Sequence, residues 1–448
     1  MFRGWMINLL LLAILLACGA GLWLADRNEI QKKNAEELSR AISTLTVAKL
    51  TRATLQPKGE NSITLEKKSD KWEITSPGSM LTDQEAVTRL FAVLERHFKE
   101  KITDKPDNPG DFGLAEPDAV LTLHDAASGA PTVLQLGSQS PTSTNRYLRL
   151  GADGPVVMVP SYEISGLTQK LQDLRAKKWG VSLENQQIVA MGLVDKDGQE
   201  IHLKQDQNGS WQLVKPFADR ASGHLVQGWL DGLLHAAAVS FAVGTPPEKP
   251  DWKLTLQPGK GEPLVLVAWR SGGSLLARRP GDPDNMILEA TIAKMLDKPP
   301  LSLVDLRPLP PGLDLQRLLL DRGEKHLDAE RKKTAEGKSV EVDKMAVHGK
   351  VKEEGDWPHP AWQSVAEVLL RDAVAAEAEA PLVPPDFVVT VENKGVPFKI
   401  PFKKEGESYQ LAPPDRPLLL RLTPLQSVSL DESLKALFPE TKETKEKK

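Results

Sequence analysis

The chain has 448 residues, 26% of them charged and 40% apolar, with a formal net charge of −4. That balance offers no basic field for nucleic acid, and the length exceeds what one core organises, so several domains are expected. Its one cysteine, Cys18, lies near the N-terminus, which excludes disulfides, a thiol nucleophile and cysteine metal ligands from the body of the chain.

From Met6 to Ala25 every residue but Asn8 is apolar or small. Twenty such residues rise about 30 Å as a helix, one bilayer core. Trp5 and Trp23 stand near the two ends, where indoles prefer the interface. The sequence thus predicts an N-terminal transmembrane helix, with residues 1–27 as a membrane anchor and 28–44 as a juxtamembrane stalk. Ala13, Ala17 and Gly21 stand four apart and form a candidate helix-packing face for a partner helix. Leu15-Leu16-Ala17-Cys18-Gly19 resembles a bacterial lipobox, but the apolar run continues to Ala25, so an uncleaved helix is preferred over lipidation of Cys18. Both arrangements place the body outside the cytoplasmic membrane, and the preferred one makes the chain a single-pass protein of the bacterial inner membrane with its body in the periplasm or extracytoplasmic space.

The body is organised by a stretch written three times. Pro117-Asp118-Ala119-Val120-Leu121-Thr122-Leu123 returns as Pro250-Asp251-Trp252-Lys253-Leu254-Thr255-Leu256 and as Pro385-Asp386-Phe387-Val388-Val389-Thr390-Val391, at offsets of 133 and 135 residues. Each copy alternates apolar and polar side chains after a Pro-Asp turn, the pattern of a half-buried strand. Upstream lie Trp72 before Pro77, Trp211 before Pro216 and, more loosely, Trp357 before Pro360. Three motifs in one order at one spacing indicate triplication.

In the first repeat, residues 45–178, strands are expected at Leu45–Leu55, around Ile63 and around Trp72. Thr82-Asp-Gln-Glu85 reads as a capping box. Behind it Val87, Leu90, Phe91, Leu94, Phe98 and Ile102 form a helical stripe. Four more strands and a closing helix through Ile164, Leu167, Leu171 and Leu174 complete a β-β-β-α-β-β-β-β-α unit.

The second repeat, 179–307, follows the same order, with Asp197-Gly198 and Asn208-Gly209 as hairpin turns. Its helical stripe is Leu225, Val226, Trp229, Leu230, Leu233 and Leu234, and a closing helix is expected over 287–296. Pro299-Pro300 through Pro310-Pro311-Gly312 reads as a proline-rich linker. The third repeat, 308–439, is degenerate, interrupted by a polar loop at 331–338, with a helix over 362–374 and strands after Phe387. The tail 440–448 has no apolar residue and is expected to be disordered. The fold class expected is α+β: three tandem antiparallel meanders with covering helices behind the membrane helix.

The anchor, the tryptophan strand before a proline, the striped helix and the Pro-Asp strand together resemble the domain-of-unknown-function 4340 family of bacterial envelope proteins. The resemblance covers about 45–307 well and 308–439 weakly. It carries no catalytic motif. It implies partners, because such proteins are often encoded beside an ABC-type export permease and a gliding-type auxiliary subunit.

Candidate chemistry is sparse. Glu336-Gly337-Lys338-Ser339 resembles the end of a phosphate-binding loop, but Lys332 stands where the motif needs its first glycine. Asp118, Asp251 and Asp386 recur, yet each lies in its own repeat, too dispersed for paired acid–base work. His224 and His235 share a helix face about 16 Å apart, too far for one metal. Trp72, Trp211 and Trp357 read as core anchors rather than a sugar-binding face. No cofactor, metal or catalytic residue is expected. The reading is a membrane-anchored extracytoplasmic non-enzymatic auxiliary or scaffold subunit of an envelope complex. The alternative is a ligand- or glycan-binding module serving a transporter.

Overall fold

The computed structural model describes residues 19, 21–23, 47–95, 101–126, 129–141, 144–183, 186–310, 313, 317–331, 342–347, 350–352, 359–371, 373–378, 384–393 and 396–438. It is built mostly of antiparallel strands in three sheets. The first contains β1 (Leu50–Pro57), β2 (Ile63–Lys68), β3 (Lys71–Ser76), β4 (Lys101–Thr103), β5 (Ala119–Asp125), β6 (Thr132–Gln139), β7 (Asn145–Leu150) and β8 (Val156–Pro160). The second contains β9 (Ile188–Asp195), β10 (Glu200–Gln205), β11 (Trp211–Lys215), β12 (Asp219–Arg220), β13 (Ala238–Ala242), β14 (Trp252–Pro258), β15 (Leu264–Ser271), β16 (Ser274–Arg278) and β17 (Asn285–Leu288). The third contains β18 (Arg317–Arg322), β19 (Lys325–Arg331), β20 (Val342–Val347), β21 (Lys350–Lys352), β22 (Val374–Ala378), β23 (Phe387–Asn393), β24 (Val396–Glu405), β25 (Ser408–Leu411) and β26 (Leu418–Arg421).

The chain divides into two compact units, and the division passes through the second repeat rather than between repeats. The first unit holds residues up to Val181 with Ala236–Pro247 and Ser271–Glu289. Its sheet runs β3-β2-β1-β5-β6-β7-β8-β4, and it also contains the run β16-β17-β13. The second unit contains the run β12-β11-β10-β9-β14-β15 and the sheet β21-β20-β19-β18-β23-β24-β25-β26-β22. In each repeat the Pro-Asp strand pairs with the repeat's first strand: Thr122 faces Thr54, Thr255 faces Gly192 and Thr390 faces Leu319. The leucines and valines beside those threonines are fully buried, as the alternation requires.

The expected α+β class with a transmembrane helix is corrected. The helices are few and short: α1 (Gln84–Phe91), α2 (Leu171–Leu174), α3 (Gly223–Leu234), α4 (Thr291–Leu296), α5 (His359–Leu370) and α6 (Pro424–Leu437). Among the described residues no helix is long and apolar enough to cross a membrane. Of the apolar N-terminal run only Gly19 and Gly21–Trp23 are described, and they are helical and exposed. The stalk at 28–44, the phosphate-loop look-alike, Trp357 and the tail lie outside the described residues.

Several expected helices shorten because part of each stripe belongs to other elements. After Phe91 the backbone tightens to 3-10 geometry over Ala92–Glu95, and Ile102 is a strand residue of β4. The strand that follows the helix, β4, β13 or β22, was not foreseen in any repeat. The closing stripe of the first repeat is a 3-10 segment, Ser161–Thr168, followed by a single turn, α2, so Ile164, Leu167 and Leu174 are buried without one continuous helix. Residues 285–288, placed partly in a helix by the sequence, pair as β17. The capping box is also displaced. Asp83 caps α1 by accepting from the N–H groups of Glu85 and Ala86, at 2.9 and 3.0 Å. Thr82 is buried and accepts from the N–H of Ile74 at 2.9 Å. Helix α6, which the sequence reading passed over, carries the true capping box, Thr423 with Gln426.

The segments joining one repeat to the next are tied into the repeats by isolated β-bridges and backbone hydrogen bonds. In the first unit Arg175 bridges Thr82, and the Ala176 N–H reaches the Leu81 carbonyl at 2.9 Å. A few residues on, the Trp179 N–H donates to Ala236 at 2.7 Å and the Ala238 N–H donates to Lys177 at 2.8 Å. Two buried guanidiniums hold this connector. Arg279 donates to the carbonyls of Ala176 and Lys178 and to Asp282, while Arg175 bonds Asp282 and Asp284 and lies 3.6 Å above the Phe241 ring.

The second unit repeats the device. The proline-rich linker is not a loose spacer: Leu303, Val304 and Asp305 are buried. Ser222 donates to Leu303 at 2.8 Å, Asp305 to Arg220 at 2.9 Å and Ala373 to Leu306 at 3.0 Å, so the segment is held by both repeats it joins. Arg416, with no exposed side-chain surface, pairs with the equally buried Asp219 at 3.0 Å and donates to the Arg307 carbonyl at 3.2 Å. Arg220 donates to the carbonyls of Arg307 and Leu309.

Candidate functional site

The recurring aspartates are strand organisers. In the second repeat Asp251 accepts the N–H of Arg270 at 2.7 Å, and in the third Asp386 accepts that of Lys404 at 2.7 Å. In the first, Asp118 pairs with the Arg146 side chain. The cation whose backbone is held then reaches a second carboxylate. Arg270 bonds Asp297 at 2.7 Å and lies 4.4 Å over the Trp252 ring, whose Nε1–H donates to Asp297 at 3.2 Å. Lys404 bonds Asp431 and lies 5.6 Å from the Tyr409 ring, whose hydroxyl donates to Asp431 at 2.6 Å.

These two clusters were missed in the sequence, although Arg270 and Lys404, like Asp297 and Asp431, stand 134 residues apart. Their electrostatics follow from the geometry. Desolvation alone would raise the Asp431 carboxyl, but hydrogen bonds from Lys404 and Tyr409 hold it below its ordinary value. Burial, with the neighbouring carboxylate, pushes the Tyr409 phenol well above its ordinary range. A phenol kept protonated against a carboxylate kept ionised is a stable donor–acceptor pair.

Beside the first of these clusters, within the second unit, opens a cleft of about 760 Å³. Asp195, Glu200, Lys215, Pro216, Asp297 and Lys298 are among the residues on its wall. The Asp195 carboxylate is engaged by the N–H groups of Asp197 and Gln199 in the expected hairpin turn, where Gly198 adopts φ +82°. Lys215 bonds Glu200 at 2.6 Å and, through its hydrogen bond and charge, keeps that exposed carboxyl below its usual value. The wall is mixed apolar and charged, with a size typical of small-ligand sites, roughly 300–1,000 Å³.

The other sequence candidates resolve one by one. Trp72 is buried with its ring 4.9 Å from Phe91, and Trp211 is buried beside Gly223. His235 ends α3 with its Nδ1 2.8 Å from the Asp231 carbonyl, and His224 is exposed at the start of that helix. Among the described residues no group of three or more His, Cys, Asp or Glu is placed to hold a metal ion. Ala13, Ala17 and Cys18 lie outside the described residues, and Gly21 is exposed with open space around its α-carbon.

Residues 72–257 match the family described as Domain of unknown function (DUF4340). The match begins at the tryptophan strand of the first repeat and ends in the Pro-Asp strand of the second. No curated protein matches the chain.

Proposed function

From the premise that residues 72–257 belong to the DUF4340 family, we propose that this chain is a non-enzymatic auxiliary or scaffold subunit of a cell-envelope complex, assembling outside the cytoplasm with a membrane-protein partner of the ABC-permease class. The observation that carries this reading is the construction of the joints. A protein that only needed its domains tethered could use a flexible linker. Here both connectors are hydrogen-bonded into the repeats on either side and clasped by buried arginines. Fixed joints suit a surface that must present several elements to a partner in set register. The charged groups described above are likewise engaged in holding strands and caps.

The test is in-cell crosslinking of the full chain followed by identification of the attached proteins. A membrane-transport subunit crosslinked reproducibly, and lost in Arg416→Met, which leaves the buried Asp219 without its cation, supports the reading. Recovery of the chain alone overturns it.

A second reading, a ligand- or glycan-binding module, is favoured by the 760 Å³ cleft. It requires that a soluble oligosaccharide or small solute raise the unfolding temperature of the wild-type chain, and that Lys215→Ala reduce that gain.

A further inference from the structure

The three sheets share one internal register, so their outward faces can be compared position by position. Two residues beyond the common threonine stand His124, Gln257 and Glu392, and opposite them on the repeats' first strands stand Arg52, Ala190 and Arg317. Across the next strand the partners are Glu66, Lys204 and Glu330. In the first repeat Arg52 lies across the face and pairs with Glu66 at 2.5 Å. In the third, Arg317 does the same with Asp328 at 2.6 Å and Glu392 at 3.2 Å.

The second repeat lacks this bridge at every point. The arginine is Ala190, the glutamate is Lys204, and the position opposite the common threonine is Gly192, where the other repeats have Thr54 and Leu319. What remains is a groove of about 380 Å³ on the outward face. Its floor is Ala190, Gly192 and Thr255, and its walls include Val194, Val214 and His202. Val214 is 49% exposed, a large apolar side chain facing solvent. The only ionisable groups lining the groove are His202 and Lys204. Glu200 approaches His202 at 3.6 Å but is itself held by Lys215 at 2.6 Å. Lys204 has no ion-pair partner among the described residues.

We propose that this groove binds a free single-chain anionic amphiphile, its apolar body lying over Ala190 and Gly192 and its carboxylate or comparable anion meeting Lys204. The volume falls in the range of small-molecule sites. The apolar floor supplies the drive for burial, and a lining with an ammonium and no carboxylate sets the sign of the ligand's charge. The inference is separate from the scaffold reading and does not need it.

The sequence itself supplies the test variant. Ala190→Arg with Lys204→Glu installs in the second repeat the pair that Arg52 and Glu66 make in the first. It fills the groove and, by pairing the new cation with the new carboxylate, takes the net charge of this pair from +1 to zero, with residues that the fold already accepts at the matching place. Dodecanoate, dodecanol and dodecyltrimethylammonium, each below its micellar concentration, are titrated against the full chain by calorimetry. Dodecanoate is expected to bind the wild type at least tenfold more tightly than the double variant, and more tightly than either other probe. Ala190→Met, which fills the space and keeps Lys204, is expected to weaken dodecanoate binding as well and serves if the double variant misfolds. Equal dodecanoate affinity for wild type and a folded filled-groove variant overturns the site, and equal binding of the cationic probe overturns the charge assignment. Co-sedimentation with phosphatidylglycerol vesicles that the double substitution abolishes would make the ligand a bilayer surface and overturn the free amphiphile.

Discussion

Single residues in this chain are constrained most where two backbones meet. A β-carbon at Gly166 would stand 2.2 Å from the Arg89 carbonyl oxygen, and the obstacle is main chain that cannot rotate away. Gly166→Ala should therefore separate the Ser161–Thr168 segment from α1 and cost several kcal/mol, more than the usual ~1 kcal/mol of a point change. A thermal midpoint within a degree of wild type would refute that. Trp211→Ala belongs to the same scale. The indole is 5% exposed, and its removal leaves a large void, worth about 3–5 kcal/mol. Urea unfolding of the second unit, unchanged in that variant, would show the tryptophan to be peripheral. Of the three repeat tryptophans, the two with described side chains, Trp72 and Trp211, could be placed in the core from the sequence, because an indole next to alternating apolar residues needs cover. The crowding at Gly166 could not, since it depends on a carbonyl 77 positions away.

At the scale of elements, the alternating strands of the hairpins were legible, while the strand after each helix and the helix extents were not, for a physical reason. Alternation is a local property, and the turns Asp197-Gly198 and Asn208-Gly209 fix hairpin ends with glycines at φ +82° and +80°. A helical stripe is less decisive, because an apolar residue every three or four positions also satisfies a 3-10 turn or a short strand packed on the same core. Phe91, Leu94 and Ile102 lie in three different elements, although they fit one stripe. Cap identity suffers similarly, since Thr82 and Asp83 both suit the role. The structure separates them. Asp83→Ala removes a half-buried cap and should cost about 1 kcal/mol. Thr82→Val leaves the buried Ile74 N–H unpaired and should cost about 1–3 kcal/mol. Chemical denaturation of the two variants side by side is the check, and a larger loss for Asp83→Ala would reverse the assignment. The clusters around Asp297 and Asp431 were legible only in retrospect, as a cation and a carboxylate kept at one offset in two repeats.

For the whole molecule the joints matter most, and the second of them was read from the sequence as a proline-rich linker because proline and glycine usually mark flexible chain. Their order comes instead from residues far along the sequence, Arg279 in one case and Arg416 in the other. Burial lifts the Asp219 carboxyl above its ordinary value even with Arg416 beside it. Such a group binds its proton more tightly in the folded chain, so its linkage term favours folding as pH falls through the raised value, and acid does not open the joint through Asp219. Asp305 behaves oppositely. Burial pushes it up, but hydrogen bonds from Arg307 bring it below 3.8, so its contribution is present above that pH and lost as pH falls through the lowered value. Replacing Arg416 by methionine leaves Asp219 buried without its cation, a change that typically costs about 3–5 kcal/mol. A proton can partly stand in for the missing guanidinium, so the deficit of Arg416→Met relative to wild type should be larger at pH 8 than at pH 5. Asp219→Leu combined with Arg416→Met removes both charges and should recover part of the stability and lose the pH dependence of the deficit. Limited proteolysis across residues 303–310 gives the local readout, with cleavage fastest in the single variant at pH 8. Cleavage equal to wild type in Arg416→Met at both pH values would mean that the backbone hydrogen bonds of Leu303, Asp305 and Leu306 hold the connector without the clasp.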